Sequence, residues 1–491
     1  MSLRINTNAA SLTALRNLRN SEHLEQRSLQ RLSTGLRINS AADDPSGLVI
    51  SEQLRNQVAS IKQALRNSQD ASNMIGTTEA ALGEVSSLLT QVRESVVFAL
   101  NTGGNSPEQI QAEQDSVDNL LGSIDRIAET TSFASRKLLD GSSAIKSSGV
   151  VGAGIKDMDV KSVQFDGKGD LSFSIAIQSA AERAHVLDAG FSAAENGTVI
   201  RLTGALGTEE ISLGSSFDTA DVTANQAFDD AINAVTGSTG VYASNGSLFS
   251  TEYGSDASVT VQVVSGQVTL ADGSTLDSSS SAASDDGADV DAFVNGAHVA
   301  AQGNKLHLVS SFLTADFTLA DGADAASDTS FSVKNSGLAF QLNQGAALSN
   351  RERLGIRSVD TSTLGGPAQT LRGVGGVDQT VGGFLSSLMS GGENDLTADP
   401  TNALRIVDAA IADVNGVRAY LGSFKSGTID TNMNSLSVAA ENLEASESTI
   451  RDLDFAAETT ELTRTQILYQ SGIAVLAQAN VMSQSVLSLL T

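Results

Sequence analysis

From Leu54 to Leu100 the chain repeats one pattern without a break. Leu54, Val58, Ile61, Leu65, Ser68, Ser72, Ile75, Glu79, Leu82, Ser86, Leu89, Arg93, Val96 and Leu100 follow each other at alternating four- and three-residue intervals. That spacing sets all of them on one face of an α-helix. At about 1.5 Å per residue, the helix is on the order of 70 Å long. A rod of this length has no place inside a compact globule, and it predicts a coiled-coil-like bundle. Asp44 followed by Pro45 supplies an N-cap and a first helical residue. "NTGGNSP" (101–107) then reads as a turn. Ile110, Val117, Leu121 and Ile124 follow at helical spacing, with Leu120 and Ile127 beside them. The two helices therefore predict an antiparallel hairpin.

Both ends of the chain carry similar stripes. Near the start, positions 15, 18, 22, 25, 29, 32 and 36 repeat at helical spacing. Leu15, Leu18, Leu29, Leu32 and Leu36 fill five of them, and Glu22 and Glu25 interrupt the row. Near the end, Leu468, Gly472, Val475, Ala479, Met482, Val486 and Leu489 lie on one face, with Tyr469, Ile473, Leu476, Leu487 and Leu490 on the adjoining stripe. A lone helix of this kind is marginal in water. The two terminal stripes are expected to cover one another. A further helix, carrying Leu404, Val407, Ile411, Val414 and Leu421, is expected to be disturbed by Gly422 and Gly427. It resumes at Leu436, Ala440, Leu443 and Ile450.

The middle differs. Between about Gly141 and Pro400 the chain is rich in Gly, Ser, Ala, Thr and Asp, and it carries most of the net charge of −27. Alternating runs at 259–264, 305–309 and 331–335 read as strands, and 225–235 reads as a helix. "TLADG" occurs at 269–273 and again at 318–322, and both copies read as turns. The fold class is therefore α+β and multidomain: a long helical bundle from both ends of the chain, with β-rich domains inserted between them. With no Trp and only 4% aromatic residues, the core rests on Leu, Ile, Val and Ala.

Composition excludes several functions. The acidic surface disfavours nucleic acid and anionic membrane. Without cysteine there is no disulfide and no thiolate metal site. No stretch approaches the roughly 18 apolar residues of a membrane span. The start lacks the apolar run of a cleaved signal peptide. His23, His185, His298 and His307 have no metal-ligand spacing, and "SDDGADVD" (284–291) lacks the spacing of a calcium loop. "RGVGGVDQTVGG" (372–383) lacks the lysine of a phosphate-binding loop. No catalytic, cofactor or metal site is therefore read from the sequence.

Longer motifs point to a family. "SLQRLSTGLRINSAADDPSGLVISEQLR" (28–55) and "IRDLDFAAETTELTRTQILYQSGIAVLAQANVMSQSVLSLL" (450–490) resemble the N- and C-terminal signatures of bacterial flagellin. "INTNAASLTALRNL" (5–18) and "TSFASRKLLDG" (131–141) agree with them. Residues 337–365 resemble the family's returning β-hairpin, and 207–244 resemble a module of many flagellin inserts. The resemblance implies a structural, non-enzymatic, cofactor-free subunit that polymerises helically into the flagellar filament for swimming. The alternative is a hook-associated junction protein, which has related terminal helices.

The resemblance also implies a division of the chain. Residues 1–42 with 453–491 would form the inner-tube coiled coil. Residues 43–178 with 336–452 would form a helical rod domain with β-hairpins, and 179–335 the variable outer domains. Leu15, Leu18, Leu29, Leu32, Leu36, Leu468, Ile473, Val475, Leu476, Met482, Val486, Leu487 and Leu489 are the residues expected in terminal and subunit packing. The implied partners are further copies of the chain, an export chaperone, and the cap and hook-associated proteins. The implied location is the extracellular filament, reached by type III export. Arg93 and Glu94 match a region contacted by the flagellin-sensing Toll-like receptor. Gln91 and Ser95 depart from the family pattern there, so the resemblance leaves that recognition open. A second departure is "GSFKSG" (422–427), where the family often has a "QNR"-like stretch.

Overall fold

In the computed structural model the backbone is described for residues 8–488, except 102, 152–153, 166–168, 188–189, 214–221, 271, 311–312, 322, 324–328, 346–350, 367–368 and 372–378. Side chains are described for the same residues except 149–151, 222–225, 369–371, 379–380 and 482–488. Long helices flank a β-rich middle. They are α1 (Ala9–Thr34), α2 (Pro45–Ala99) and α3 (Pro107–Thr130) on one side, and α6 (Pro400–Phe424), α7 (Thr431–Arg451) and α8 (Phe455–Ser488) on the other. Two short helices, α4 (Val222–Asn233) and α5 (Thr236–Thr239), lie in the middle. The chain forms two compact units, Met1–Arg66 with Asn432–Thr491, and Asn67–Thr431.

Helix α2 is 55 residues long and starts where the sequence places its cap. The Asp44 carboxylate accepts from Gly47 N at 2.9 Å and from Ser46 Oγ at 2.9 Å. The Gly47 hydrogen bond, with that of Ser46, holds the carboxyl below its usual range. Gly47 has no room for a side chain, since a Cβ would lie 2.4 Å from Asp44 Oδ2 and 2.7 Å from Ile38 Cδ1. The buried seam of α2 runs through Ile61, Ser68, Ile75, Leu82, Leu89 and Val96, all on the sequence stripe. Its alternate members are Ala71, Thr78, Val85, Val92 and Ala99, and not Ser72, Glu79, Ser86, Arg93 and Leu100. The seam keeps a heptad period but takes the smaller or more apolar of two adjacent residues.

In the second unit, α3 begins with a capping box between Ser106 and Gln109. It buries Val117, Leu121, Ile124 and Ala128. Gln114 is buried with its polar atoms satisfied: Nε2 donates to Leu388 O at 2.8 Å and Oε1 accepts from Leu396 N at 2.8 Å. Helix α6 is capped by Asp399 and buries Val407, Val414 and Leu421. From Lys425 to Asp430 the helix widens into a π-turn, and the α-helix then resumes as α7. The expected disturbance near Gly427 is thus a change of winding rather than a break.

The β-rich part of this unit has two cores. One is an antiparallel ten-stranded sheet with the strand order Leu338–Gln341, Arg351–Leu354, Ile155–Val163, Leu313–Leu319, Lys305–Val309, Ala297–Gln302, Asp291–Val294, Leu171–Ser179, Thr329–Val333 and Ser147–Val151. Phe165, Phe173, Ile175, Phe317 and Phe331 anchor its core. The other core lies under α4. It joins a four-stranded sheet around Ser258–Ser265 and Thr198–Gly204 to two three-stranded sheets. Phe191 and Phe228 stack there with ring centroids 4.3 Å apart. The strands read at 259–264, 305–309 and 331–335 fall at Ser258–Ser265, Lys305–Val309 and Thr329–Val333. In both "TLADG" stretches the leucine is the last residue of a strand.

Candidate assembly surface

Helices α1 and α8 pair in antiparallel fashion within the first unit. At one end, Asn8 caps α1 by accepting from Ser11 N, and its Nδ2 donates to Ala479 O at 2.9 Å. Ser11 Oγ reaches Asn480 Oδ1 at 3.0 Å. Midway, Gly472 lies against Leu18. At the other end, Gly35 adopts a left-handed conformation and ends α1. The chain then bridges across: Leu36 pairs with Asp452, Leu453 N donates to Gly35 O at 3.0 Å, and Arg37 N donates to Arg451 O at 2.7 Å. Arg31 stands 3.7 Å from Glu458 and 4.0 Å from Asp43. Burial alone would raise the Asp43 carboxyl. Hydrogen bonds from Ser40 and Asn39, with the Arg31 charge, hold it below the usual range.

The seam between the two helices is built mostly of small residues. On α1 it takes Ser11, Ala14, Leu18, Ser21, Glu25, Ser28 and Leu32. On α8 it takes Leu462, Thr465, Tyr469, Gly472, Leu476 and Ala479. Thr465 and Ser28 are buried outright. Small residues let two helix backbones approach closely, so the pair closes while most of its large apolar side chains stay outside. Leu12, Leu24 and Leu29 on α1, and Ile467, Leu468, Ile473, Val475 and Val481 on α8, are exposed, with Val475 at 58% and Leu29 at 49%.

The residues named from the sequence therefore divide. Leu15, Leu18 and Leu32 are half-buried on α1, and Leu476 is half-buried on α8. Leu29, Leu468, Ile473 and Val475 point away from the pair. Leu36 lies past the end of α1, half-buried and in the β-bridge to Asp452, because Gly35 has already closed the helix. Met482, Val486 and Leu487 lie in α8, but their side chains fall outside the described residues, as does all of Leu489. Sequence reasoning missed Ala14, Ser28 and Thr465, because a search for large apolar residues passes over a small-residue seam. Glu25 is half-buried in it.

Farther along, a clasp joins α2 to α7. Arg55 meets Glu447 at 3.4 Å, Lys62 meets Glu444 at 2.6 Å, and Arg451 meets Glu52 at 2.9 Å. Ile61, Ala64, Leu436 and Ala440 form a small core beneath them. In the second unit, Gln91, Arg93 and Glu94 are exposed on α2. Arg93 Nε bonds Asp408 Oδ1 on α6 at 2.7 Å, and that hydrogen bond raises the guanidinium pKa. Beside them, the buried Ser95 donates to Glu113 at 2.6 Å. His185, His298 and His307 each sit beside one aspartate, namely Asp285, Asp291 and Asp316. Among the described residues no helix is long and apolar enough to cross a membrane.

Comparison with known proteins bears on these same helices. The family model for the bacterial flagellin N-terminal helical region matches residues 5–144, and that for the C-terminal helical region matches 404–490. The B-type flagellin of Pseudomonas aeruginosa is 31% identical, with all of both chains covered. Polar flagellin B/D of Vibrio parahaemolyticus is 28% identical, again over all of both chains. Flagellin of Salmonella typhimurium is 27% identical over 99% of each. Among solved structures, a flagellar junction protein from Legionella pneumophila is 12% identical, covering 84% of this chain and all of that one, with a TM-score of 0.26. So low a score adds no argument to the sequence match.

Proposed function

The chain belongs to the bacterial flagellin family and is a structural subunit of the flagellar filament, and we propose that the α1–α8 pair is the element through which it polymerises. One observation carries this reading. The pair closes on small residues and leaves Leu12, Leu24, Leu29, Ile467, Leu468, Ile473, Val475 and Val481 exposed. Each such side chain gains roughly 1.5–3 kcal/mol when fully buried. A helical polymer supplies that burial repeatedly, because head-to-tail contacts that do not close into a ring build a filament. Leu15, Leu18, Leu32 and Leu476 then hold the pair together. Leu29, Leu468, Ile473 and Val475 meet neighbouring subunits, and the sequence resemblance extends subunit packing to Met482, Val486, Leu487 and Leu489.

The remaining assignments follow from membership of the family. Residues 1–42 with 453–491 form the inner coiled coil, 43–178 with 336–452 the helical rod domain, and 179–335 the outer domains. The subunit has no enzymatic activity and needs no cofactor. It leaves the cell through the type III channel, carried by an export chaperone. It meets the cap and hook-associated proteins at the filament ends. In the region resembling the Toll-like receptor contact, Arg93 pairs with Asp408. A junction-protein role is less supported, because the relatives matched end to end are flagellins.

The test is polymerisation of a chain lacking Gln470–Thr491. The truncated subunit should keep the β-rich fold and form no filaments on seeding, as seen by electron microscopy. Normal filaments would sink the proposal.

A further inference from the structure

The sequence contains four Asn–Gly pairs: Asn196–Gly197, Asn245–Gly246, Asn295–Gly296 and Asn415–Gly416. Such a pair can rearrange without an enzyme, because the glycine amide nitrogen can attack the asparagine side-chain amide. In three of the four the attacking N–H is already held. Gly197 N donates to Leu213 O at 3.0 Å. Gly246 N donates to Asp229 Oδ1 at 3.0 Å in a buried contact. Gly416 lies inside α6, where its amide belongs to the helical ladder. Gly296 differs. It is exposed in a two-residue hairpin turn between Asp291–Val294 and Ala297–Gln302, and its N–H has no acceptor among the described residues.

The electrophile in this turn is also prepared. Asn295 Oδ1 accepts from Ser174 N at 2.9 Å and from Ser174 Oγ at 3.3 Å. Asn295 N donates to Ser174 O at 2.9 Å, which fixes the residue against the neighbouring strand. Two donors on a carbonyl oxygen favour the negative charge that gathers there when a nucleophile adds to the carbon. We propose that Asn295–Gly296 is a built-in deamidation site of the subunit. Gly296 N gives up its proton to solvent and bonds to Asn295 Cγ. The charge moves to Oδ1, beneath Ser174 N–H and Oγ–H. The Cγ–Nδ2 bond then breaks, and Nδ2 leaves as ammonia after taking a proton. Water opens the resulting succinimide at either carbonyl, giving aspartate or isoaspartate. The net change is amide plus water to carboxylate plus ammonium, with no oxidant or cofactor. One negative charge is added to an already acidic domain, and the isoaspartate product lengthens the backbone of a two-residue turn.

The four pairs serve as mutual controls within one protein. The full-length chain would be aged in warm, mildly alkaline buffer, both folded and in concentrated urea. Peptide mass spectrometry would follow the one-dalton gain at each asparagine. In the folded protein Asn295 should convert about tenfold or more faster than Asn196, Asn245 and Asn415. In urea the four rates should converge to within a few-fold. The proposal is overturned if Asn295 does not lead in the folded chain, or if it leads by the same margin in urea.

Discussion

Gly472 of α8 faces Leu18 of α1 so closely that a Cβ on the glycine would lie 3.2 Å from Leu18 Cδ1 and 3.9 Å from its Cα. The first atom is the tip of a side chain and can yield by a few tenths of an ångström. The second is backbone and cannot. Gly472→Ala should therefore be tolerated, and the gain in helix propensity, about 1 kcal/mol, offsets the crowding. Gly472→Leu must push the two backbones apart and undo the seam. Alanine is expected to leave the critical concentration for polymerisation within a few-fold of wild type, and leucine to abolish assembly. Turbidity on seeding measures both, and filaments from the leucine variant would show that the helices do not pair this closely.

Val475 and Leu476 are adjacent in sequence but differ in surroundings. Val475 is exposed and Leu476 is half-buried in the seam. Val475→Ser removes little from the isolated subunit. If a neighbour covers it, roughly 1.5 kcal/mol or more is lost per contact, about tenfold in critical concentration. Leu476→Ala should weaken the helix pair itself, so helicity of the terminal segments falls as well as assembly. Paired melts of subunit and filament separate the two. A Val475→Ser variant that assembles as well as wild type would mean this face stays wet in the filament.

Asp229 predicts a pH trend opposite to that of Asp43 and Asp44, whose carboxyls are held below the usual range. It lies on the buried face of α4, where its Oδ1 accepts from Gly246 N at 3.0 Å and its Oδ2 has no hydrogen-bond partner among the described residues. Burial pushes its carboxyl up to about 6 from an ordinary 3.8. The folded state thus holds the proton more tightly than the unfolded chain. The stabilisation from this group is complete below pH 3.8 and is lost as pH rises through about 6. The loss is roughly 3 kcal/mol, at 1.36 per pH unit. Asp229→Asn keeps an acceptor for Gly246 and cannot ionise. Relative to it, wild type should lose stability between pH 4 and 6 and then level off. Denaturant melts of the two proteins across that range supply the measurement, and parallel curves would show that Asp229 is neutralised or hydrated in another way.

The helices were legible because their signals are local. Asp44 and Pro45 mark the start of α2, whereas the helical row read along α1 runs on to Leu36, past the left-handed Gly35 that ends the helix. The phase of the seams was less so. Ser72 and Ala71, or Arg93 and Val92, are neighbours that a pattern of sevens cannot rank by itself. In the folded chain Ala71 and Val92 are the buried members of these pairs. On α1 and α8 the close seam uses Ala14, Ser28 and Thr465, whereas a hydrophobicity reading favours Leu29, Leu468 and Val475. Individual strands such as Lys305–Val309 alternate clearly, but the ten-stranded order depends on pairs far apart in sequence, such as Thr329–Val333 beside Ser147–Val151. No local pattern contains that pairing.

The π-turn offers a last prediction. Val407, Val414 and Leu421 are spaced by sevens along α6, and Ile429, Leu436, Leu443 and Ile450 are spaced by sevens beyond it. Between Leu421 and Ile429 the interval is eight. One extra residue in a regular α-helix would turn the second series about 100° away from the first. A π-turn absorbs that residue in a single wide turn, so one stripe continues along the helix. Its six residues, Lys425–Asp430, include Gly427, which is exposed and has no neighbour within 4 Å of where a Cβ would stand. Deleting Gly427 would restore an unbroken interval of seven and leave Ile429 on the stripe. The Lys425–Asp430 pair, 3.3 Å apart and substantially exposed, would become an i,i+4 pair on a regular α-helix and keep its contact. The deletion variant should therefore fold with unchanged helical content, and its melting temperature should hold or rise. A fall of more than a few degrees would mean that the extra residue is needed for contacts of its own, and that the wide turn is more than an accommodated insertion.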